Sequence, residues 1–177
     1  TPAPADTRED FYLLFGQLVG YKRADLAVQA FSRPGEKTRR LVVIGEGEQL
    51  PMLKKLAGPN VTLLGRQPFA AVKDYLSRCR ALIFPGLEDF GIVPVEALAC
   101  GTPVIAYGRG GVLDSLEDGV TGVFFKEQTV SALTAAIERF ETLRFDAGRL
   151  AERARYYHPD RFAERLAALV QTTLADK

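Results

Sequence analysis

Two carboxylates, Glu88 and Glu96, bracket Phe90-Gly91-Ile92-Val93-Pro94, directly after the apolar run Ala81-Leu82-Ile83-Phe84. That order reads as strand, tight turn and helix start, with Pro94 at the first helical position and Gly101 ending the helix after Val95 to Cys100. A helix start offers unpaired backbone N–H groups and the positive end of the peptide dipoles, which suits a phosphate. A diphosphate facing the N–H groups of Ile92, Val93 and their neighbours gains charge-assisted hydrogen bonds of ~1.5–3 kcal/mol each. Two acids so close would repel a phosphate, so their chemistry must differ. Glu96 is placed to accept from the two hydroxyls of a ribose, and Glu88 from those of a hexose. The plainer alternative has Glu96 complementing the helix dipole and Glu88 as a solvated turn residue.

A cation is available at the same place. Gly16-Gln17-Leu18-Val19-Gly20-Tyr21-Lys22 follows the first apolar run, and Lys22 stands where a helix begins. It would neutralise the diphosphate, unless it is simply an exposed loop lysine. The lone His158 precedes Pro159 and reads as structural rather than catalytic. No Cys/His spacing suits a metal, and none is expected. Cys79 and Cys100 lie in or beside apolar segments and read as small buried hydrophobes in a reducing compartment. Asn60-Val61-Thr62 fits a glycosylation triplet, a pattern common by chance.

The elements that must hold these residues alternate. Phe11 to Phe15, Leu41 to Ile44, Val61 to Leu64, Ala81 to Phe84, Pro103 to Ala106 and Gly122 to Phe125 are short apolar runs without polar alternation, which fits strands buried on both faces. Between them, Ala24 to Phe31, Gln49 to Leu56 and Phe69 to Arg78 carry apolar residues at helical spacing. Such alternation predicts an α/β fold, a Rossmann-like doubly wound parallel sheet of about six strands whose ligands bind beyond the carboxyl ends of the strands. Gly16, Gly45, Gly65, Gly86 and Gly108 all follow strands at that edge, where glycine lets a ligand approach the backbone. Extra helices close the chain from Ser131 onward, over Leu150 to Tyr157 and Asp160 to Leu174, with Asp160 as a weak cap and Phe162, Leu166, Leu169 and Val170 as the last apolar stripe.

Length and charge limit the rest. A chain of 177 residues makes one core of ordinary size, with residues 1–10 as a linker or frayed start and 11–177 as the domain. Lys plus Arg number 23 against 22 for Asp plus Glu, which argues against a nucleic-acid partner. No segment reaches the ~18 apolar residues of a membrane span, and Thr1 to Asp10 has no signal-peptide character.

These residues carry a resemblance. Glu88…Phe90-Gly91…Pro94…Glu96-Ala97, followed by Gly101-Thr102-Pro103-Val104, resembles the donor-binding signature of the retaining glycosyltransferases of the GT-B fold, family 4 or "group 1". Gly16-x-Leu18 with Lys22 resembles that family's phosphate loop. Leu41-Val42-Val43-Ile44-Gly45-Glu46-Gly47, Asn60 to Gly65, Gly110-Gly111 and Asp118-Gly119-Val120-Thr121-Gly122 also follow its order, over about residues 11 to 170. Bacterial mannosyltransferases of O-antigen and polysaccharide assembly are the most similar in kind.

The resemblance implies a nucleotide-sugar donor, GDP-mannose by preference and a UDP-sugar as the alternative, and transfer with retention that needs neither metal nor cofactor. It implies Lys22 at the diphosphate, Glu96 at the ribose and Glu88 at the donor sugar, with Lys22 and Glu88 the catalytic pair. Gly16, Gln17, Gly45, Phe90, Gly91, Ile92 and Val93 would line the sugar and phosphates, and Gly65, Arg66 and Gln67 would lie beside the base. The family's phosphate loop usually has arginine where this chain has Gln17, so either Lys22 works alone, another basic residue such as Arg23 or Arg109 compensates, or donor binding is weak. The resemblance further implies a preceding acceptor-side domain outside this chain, a glycan or lipid-linked glycan acceptor, and a cytoplasmic site that reaches the inner membrane face, if at all, through that domain. Rivals are a nucleotide-sugar epimerase, disfavoured by the lone His158, and a non-catalytic nucleotide-binding module. A dehydrogenase would need G-x-G-x-x-G after the first strand, which Gly16 and Gly20 do not supply.

Overall fold

The computed structural model describes residues 8–36 and 38–175. Six parallel strands, β1 (Tyr12–Phe15), β2 (Leu41–Ile44), β3 (Val61–Leu63), β4 (Leu82–Phe84), β5 (Val104–Tyr107) and β6 (Gly122–Phe125), form one sheet in the order β3-β2-β1-β4-β5-β6. The helices are α1 (Ala24–Phe31), α2 (Leu50–Leu56), α3 (Phe69–Arg78), α4 (Ile92–Ala99), α5 (Val112–Ser115), α6 (Val130–Thr142), α7 (Ala147–Arg155) and α8 (Pro159–Ala175). This is the doubly wound α/β architecture expected, with α7 and α8 as the additional C-terminal helices.

Two apolar layers hold the sheet. On β1, Tyr12 and Leu14 face one layer with Phe31 of α1 and Leu133, Ile137 and Phe140 of α6. Phe11 and Leu13 face the other, with Leu76 of α3, Leu98 of α4 and Leu150 of α7. The period of two along β1 thus splits one continuous apolar run between two cores. Each fully buried Leu contributes roughly 1.5–3 kcal/mol. Thr129 and Asp146 cap α6 and α7 by accepting from the amides of Ala132 and Arg149.

Some expectations need correcting. The helix after β4 begins at Ile92, not Val95. Gly91, at φ 77°, turns the chain directly into the helix, and Pro94 falls in its first turn, where a missing N–H costs nothing. α5 had no periodicity to announce it. The start of the described chain is tied down: Arg8 donates to the carbonyls of Ser77 (3.3 Å), Cys79 (2.8 Å), Cys100 (3.4 Å) and Gly101 (2.5 Å) and to Thr102 Oγ1 (2.7 Å). Glu9 and Asp10 pair with Arg78 and Arg80. Residues 1–7 of the expected linker lie outside the described residues. Asn60 uses its amide within the fold, donating to Phe31 O and Arg39 O at 2.7 Å each. Cys79 and Cys100 are free, and burial pushes the Cys79 thiol up to about 12, so it stays protonated.

α8 differs from the rest. Phe162 (59%), Leu166 (48%), Leu169 (64%) and Val170 (48%) leave its apolar stripe exposed. Among the described residues no helix is long and apolar enough to cross a membrane.

Arg8 closes the amino ends of β4 and β5 from the far side of the sheet. Replacing it with Ala removes the donor from several carbonyls at once, with an expected loss of about 2 kcal/mol, read as a lower urea midpoint at unchanged slope. A midpoint equal to the parent's would show that water satisfies those carbonyls.

Candidate functional site

The strand order reverses beside β1, whose neighbours are β2 and β4. Past β1 the chain makes a 3-10 turn, Gly20–Lys22, ended by Arg23 in the left-handed region (φ 53°). That strained conformation costs on the order of 1 kcal/mol and is held by the ion pair of Arg23 with Asp25, at 3.1 Å in the first turn of α1. Arg23 is thereby engaged away from Lys22, while Arg109 is exposed in the turn after β5.

The turn delivers Lys22 to the loop after β4. Lys22 Nζ lies 3.0 Å from Glu88 Oε1, with the side chains 22% and 20% exposed. Glu88 Oε1 is buried and receives no aligned hydrogen bond. The contact is therefore an ion pair that leaves acceptor capacity on the oxygen. The loops meet because Gly86 has no side chain: a Cβ there would stand 2.8 Å from Lys22 Cα.

The Glu88 loop is clamped from the other side. The amide of Gly111 donates to Glu88 O at 2.9 Å. A Cβ at Gly111 would stand 2.2 Å from Asp89 O, and one at Gly110 2.5 Å from Glu88 O. Gln128, after β6, donates to Pro85 O at 2.8 Å. Gln128 carries no signal in the sequence and Gly110-Gly111 only a matching pattern, because their partners come from a different crossover.

Most of the sequence-derived site residues fall into three groups, while Gly65, Gly91 and Val93 line none of them. Gly16, Gln17, Gly45, Arg66 and Gln67 line one cavity of about 380 Å³ at the ends of β1, β2 and β3. There Gly45 N donates to Gly65 O at 2.9 Å and Gln67 to Leu64 O at 2.8 Å. Gln17, Lys22, Gly86 and Glu88 line a recess of about 20 Å³ next to it. Phe90, Ile92 and Glu96 line a groove of about 680 Å³ with Tyr157 and His158 at the end of α7. The structure thus brings Lys22 to Glu88 and places Gln17 beside them, and it puts Glu96 in a different recess. Val93 turns its side chain toward the core and offers only backbone.

Electrostatics separates the acids. Burial alone lifts the Glu96 carboxyl above the usual carboxylate range, whereas Glu88 has Lys22 opposite. Ile92 and Val93, at the start of α4, have no intrahelical acceptor for their N–H groups. An ammonium beside a carboxylate with spare acceptor capacity at the switch point suits an anion carrying hydroxyls, and the start of α4 opens into the groove beside it. His158 accepts from the Asp160 amide through Nδ1 at 3.3 Å, which fixes the start of α8. Among the described residues no group of three His, Cys, Asp or Glu side chains could hold a metal ion.

The sequence pattern of the family Glycosyl transferases group 1 matches residues 2–159. The chain belongs to this family. The D-inositol 3-phosphate glycosyltransferase of Kribbella flavida is 30% identical over 189 residues, covering 95% of this chain and 43% of that protein. Human alpha-1,3/1,6-mannosyltransferase ALG2 is 39% identical over 106 residues, 56% of this chain and 25% of ALG2. Among solved structures, the apo lipopolysaccharide outer core galactosyltransferase WaaB superposes with a TM-score of 0.84 at 17% identity, over 97% of this chain and 52% of WaaB. Anabaena Alr3699/HepE in complex with UDP and glucose gives 0.69 at 21% identity, over 98% of this chain and 50% of HepE. The chain spans less than half the length of the D-inositol 3-phosphate glycosyltransferases of Kribbella flavida and Acidothermus cellulolyticus, which it matches.

Two measurements probe the candidate site. Gly111→Ala keeps an allowed backbone (φ −62°) but forces the Glu88 loop outward, with an expected cost of about 1–3 kcal/mol by urea unfolding. Stability unchanged within error would mean that the loop yields freely. Because burial raises the Glu96 carboxyl, its ionisation destabilises the fold as pH rises from the ordinary carboxylate range through the raised value. Glu96→Gln should therefore be more stable than the parent at pH 7, and this advantage should vanish in acid. An advantage independent of pH would remove burial as its cause.

Proposed function

We propose that this chain is the donor-binding half of a retaining, metal-independent glycosyltransferase that binds a nucleotide diphosphate sugar and passes the sugar to a glycan or lipid-linked glycan in polysaccharide or lipopolysaccharide synthesis. The observation that carries the proposal is the ion pair of Lys22 and Glu88, at 3.0 Å, at the switch point between β1 and β4. Lys22 and the N–H groups opening α4 take the diphosphate. Glu88 accepts from hydroxyls of the sugar and Glu96 from those of the ribose, and the cavity lined by Gly45, Arg66 and Gln67 takes the base. When the bond from the anomeric carbon to the diphosphate breaks, negative charge grows on the leaving oxygen. Lys22 and the helix start then stabilise that charge more than they stabilise the ground state, and every ~1.4 kcal/mol of that difference is tenfold in rate.

GDP-mannose is the donor proposed first, supported by the resemblance to mannosyltransferases and by the relative ALG2. The UDP and glucose held by the structural neighbour HepE support UDP-glucose as the alternative. The acceptor side belongs to a preceding domain. The exposed stripe on α8 supports a covering surface outside these residues. We place the reaction in the cytoplasm, with any contact to the inner membrane face made through that domain.

Calorimetric titration with GDP, UDP, ADP and their sugars tests the donor. GDP-mannose is expected to bind most tightly, and UDP binding above GDP would overturn that assignment. Lys22→Met should weaken binding of the preferred nucleotide diphosphate by about tenfold or more, the worth of one charge-assisted contact. A Glu96→Ala variant that binds as well as the parent would undo the ribose assignment. Efficient sugar transfer by the isolated 177-residue chain would refute the proposal that a second domain is needed.

A further inference from the structure

Phe90 sits between Glu88 and the start of α4, and its ring meets that of Tyr157 edge-on, with centroids 5.7 Å apart and planes at 72°. Tyr157 belongs to the elbow between α7 and α8. Its hydroxyl donates to Asp114 O at 2.5 Å. The guanidinium of Arg153 donates to the same carbonyl and to Ser115 O, the latter at 3.1 Å. These carbonyls end α5, a helix too short to persist unaided. At its other end the Gly111 amide holds Glu88 O. The elbow therefore grips the Glu88 loop twice, directly through Phe90 and indirectly through α5. Arg165 of α8 joins the same cluster, 3.7 Å above the Tyr156 ring and donating to Tyr156 O at 2.9 Å.

We infer that Tyr157 is a positioning residue for Glu88. It acts through Phe90 and α5, which fix the loop that carries the Glu88 carboxylate to Lys22. An aromatic edge contact and a hydroxyl bond to a helix-end carbonyl each restrain that loop, and a group held by such a supporting contact keeps its geometry only while the contact lasts.

Amide hydrogen exchange by NMR on the unliganded 177-residue chain tests this directly. Tyr157→Ala is expected to speed exchange of the Gly111 amide about tenfold through local opening, while the Leu13 and Leu82 amides, bonded to Ala81 O and Pro103 O inside the sheet, stay as slow as in the parent. Tyr157→Phe keeps the ring edge against Phe90 and loses the bond to Asp114, so its Gly111 rate should lie between the two. Parent-like Gly111 exchange in Tyr157→Ala overturns the inference. If that variant fails to fold, parent-like exchange in Tyr157→Phe overturns it instead.

A second arm rests on the proposed function. With GDP-mannose or UDP-glucose, whichever the parent binds, Tyr157→Ala should lose about tenfold in affinity for the sugar nucleotide and less than about twofold for the bare nucleotide diphosphate, because the displaced acceptor faces the sugar. Equal losses for both would reveal a general structural role and refute positioning. A parent that binds neither sugar nucleotide refutes the proposed function, while Gly111 exchange still decides the inference.

Discussion

β1 lies between β2 and β4, and the candidate site depends on that arrangement. α1 leaves β1 toward one apolar layer and α4 leaves β4 toward the other, because Leu26 and Phe31 pack in the first and Ala97 and Leu98 in the second. Loops that depart to opposite faces open a crevice between them. The crevice narrows again where Gly86 lets the β4 loop touch Lys22 and where Glu88 meets the ammonium. A parallel sheet without this reversal would send both helices to one face and bury the strand ends under continuous packing.

The ion pair also sets the order of charge exchange. Two unit charges about 4 Å apart attract by roughly 4 kcal/mol at an effective dielectric of about 20. Under the proposed function, a diphosphate would bear more charge than one carboxylate and would also meet the N–H groups of Ile92 and Val93, and so would compete well for Lys22. Without its ammonium, Glu88 would keep a buried oxygen that already lacks an aligned donor, and on the proposed function a sugar hydroxyl would satisfy it. On that reading diphosphate and sugar would favour each other's contacts, whereas a bare anion would leave Glu88 unpaired.

Much of this was legible in the sequence, and the rest was hidden for identifiable reasons. The runs at Leu41–Ile44 and Gly122–Phe125 coincide with β2 and β6, and Ala24–Phe31 and Phe69–Arg78 with α1 and α3, because apolar periodicity is a local signal. Pro94 misled by three residues: proline marks a first turn without saying which position in it, and Gly91 made the turn. α5 has one turn and no period to detect. The meeting of Lys22 with Glu88, the grip of Gly110-Gly111 on the Glu88 loop and the docking of Arg8 under β4 and β5 all join residues distant in sequence, and such pairings exist only once the crossovers are in place.

The elbow between α7 and α8 extends this dependence beyond the crevice. α8 exposes Phe162, Leu166, Leu169 and Val170 along one face, a row of apolar side chains that a monomer gains nothing by displaying in water. Through Arg165 on Tyr156, and Tyr157 on Phe90 and Asp114, the same helix is connected to the loop that holds Glu88. A body that covered the stripe and shifted α8 would have to move the elbow or break its contacts. Either way the displacement reaches Glu88 before it reaches Lys22, whose 3-10 turn hangs from β1 and is braced by Arg23 and Asp25. The cation is therefore anchored in the sheet and the carboxylate in the periphery, so the two halves of one ion pair answer to different parts of the molecule.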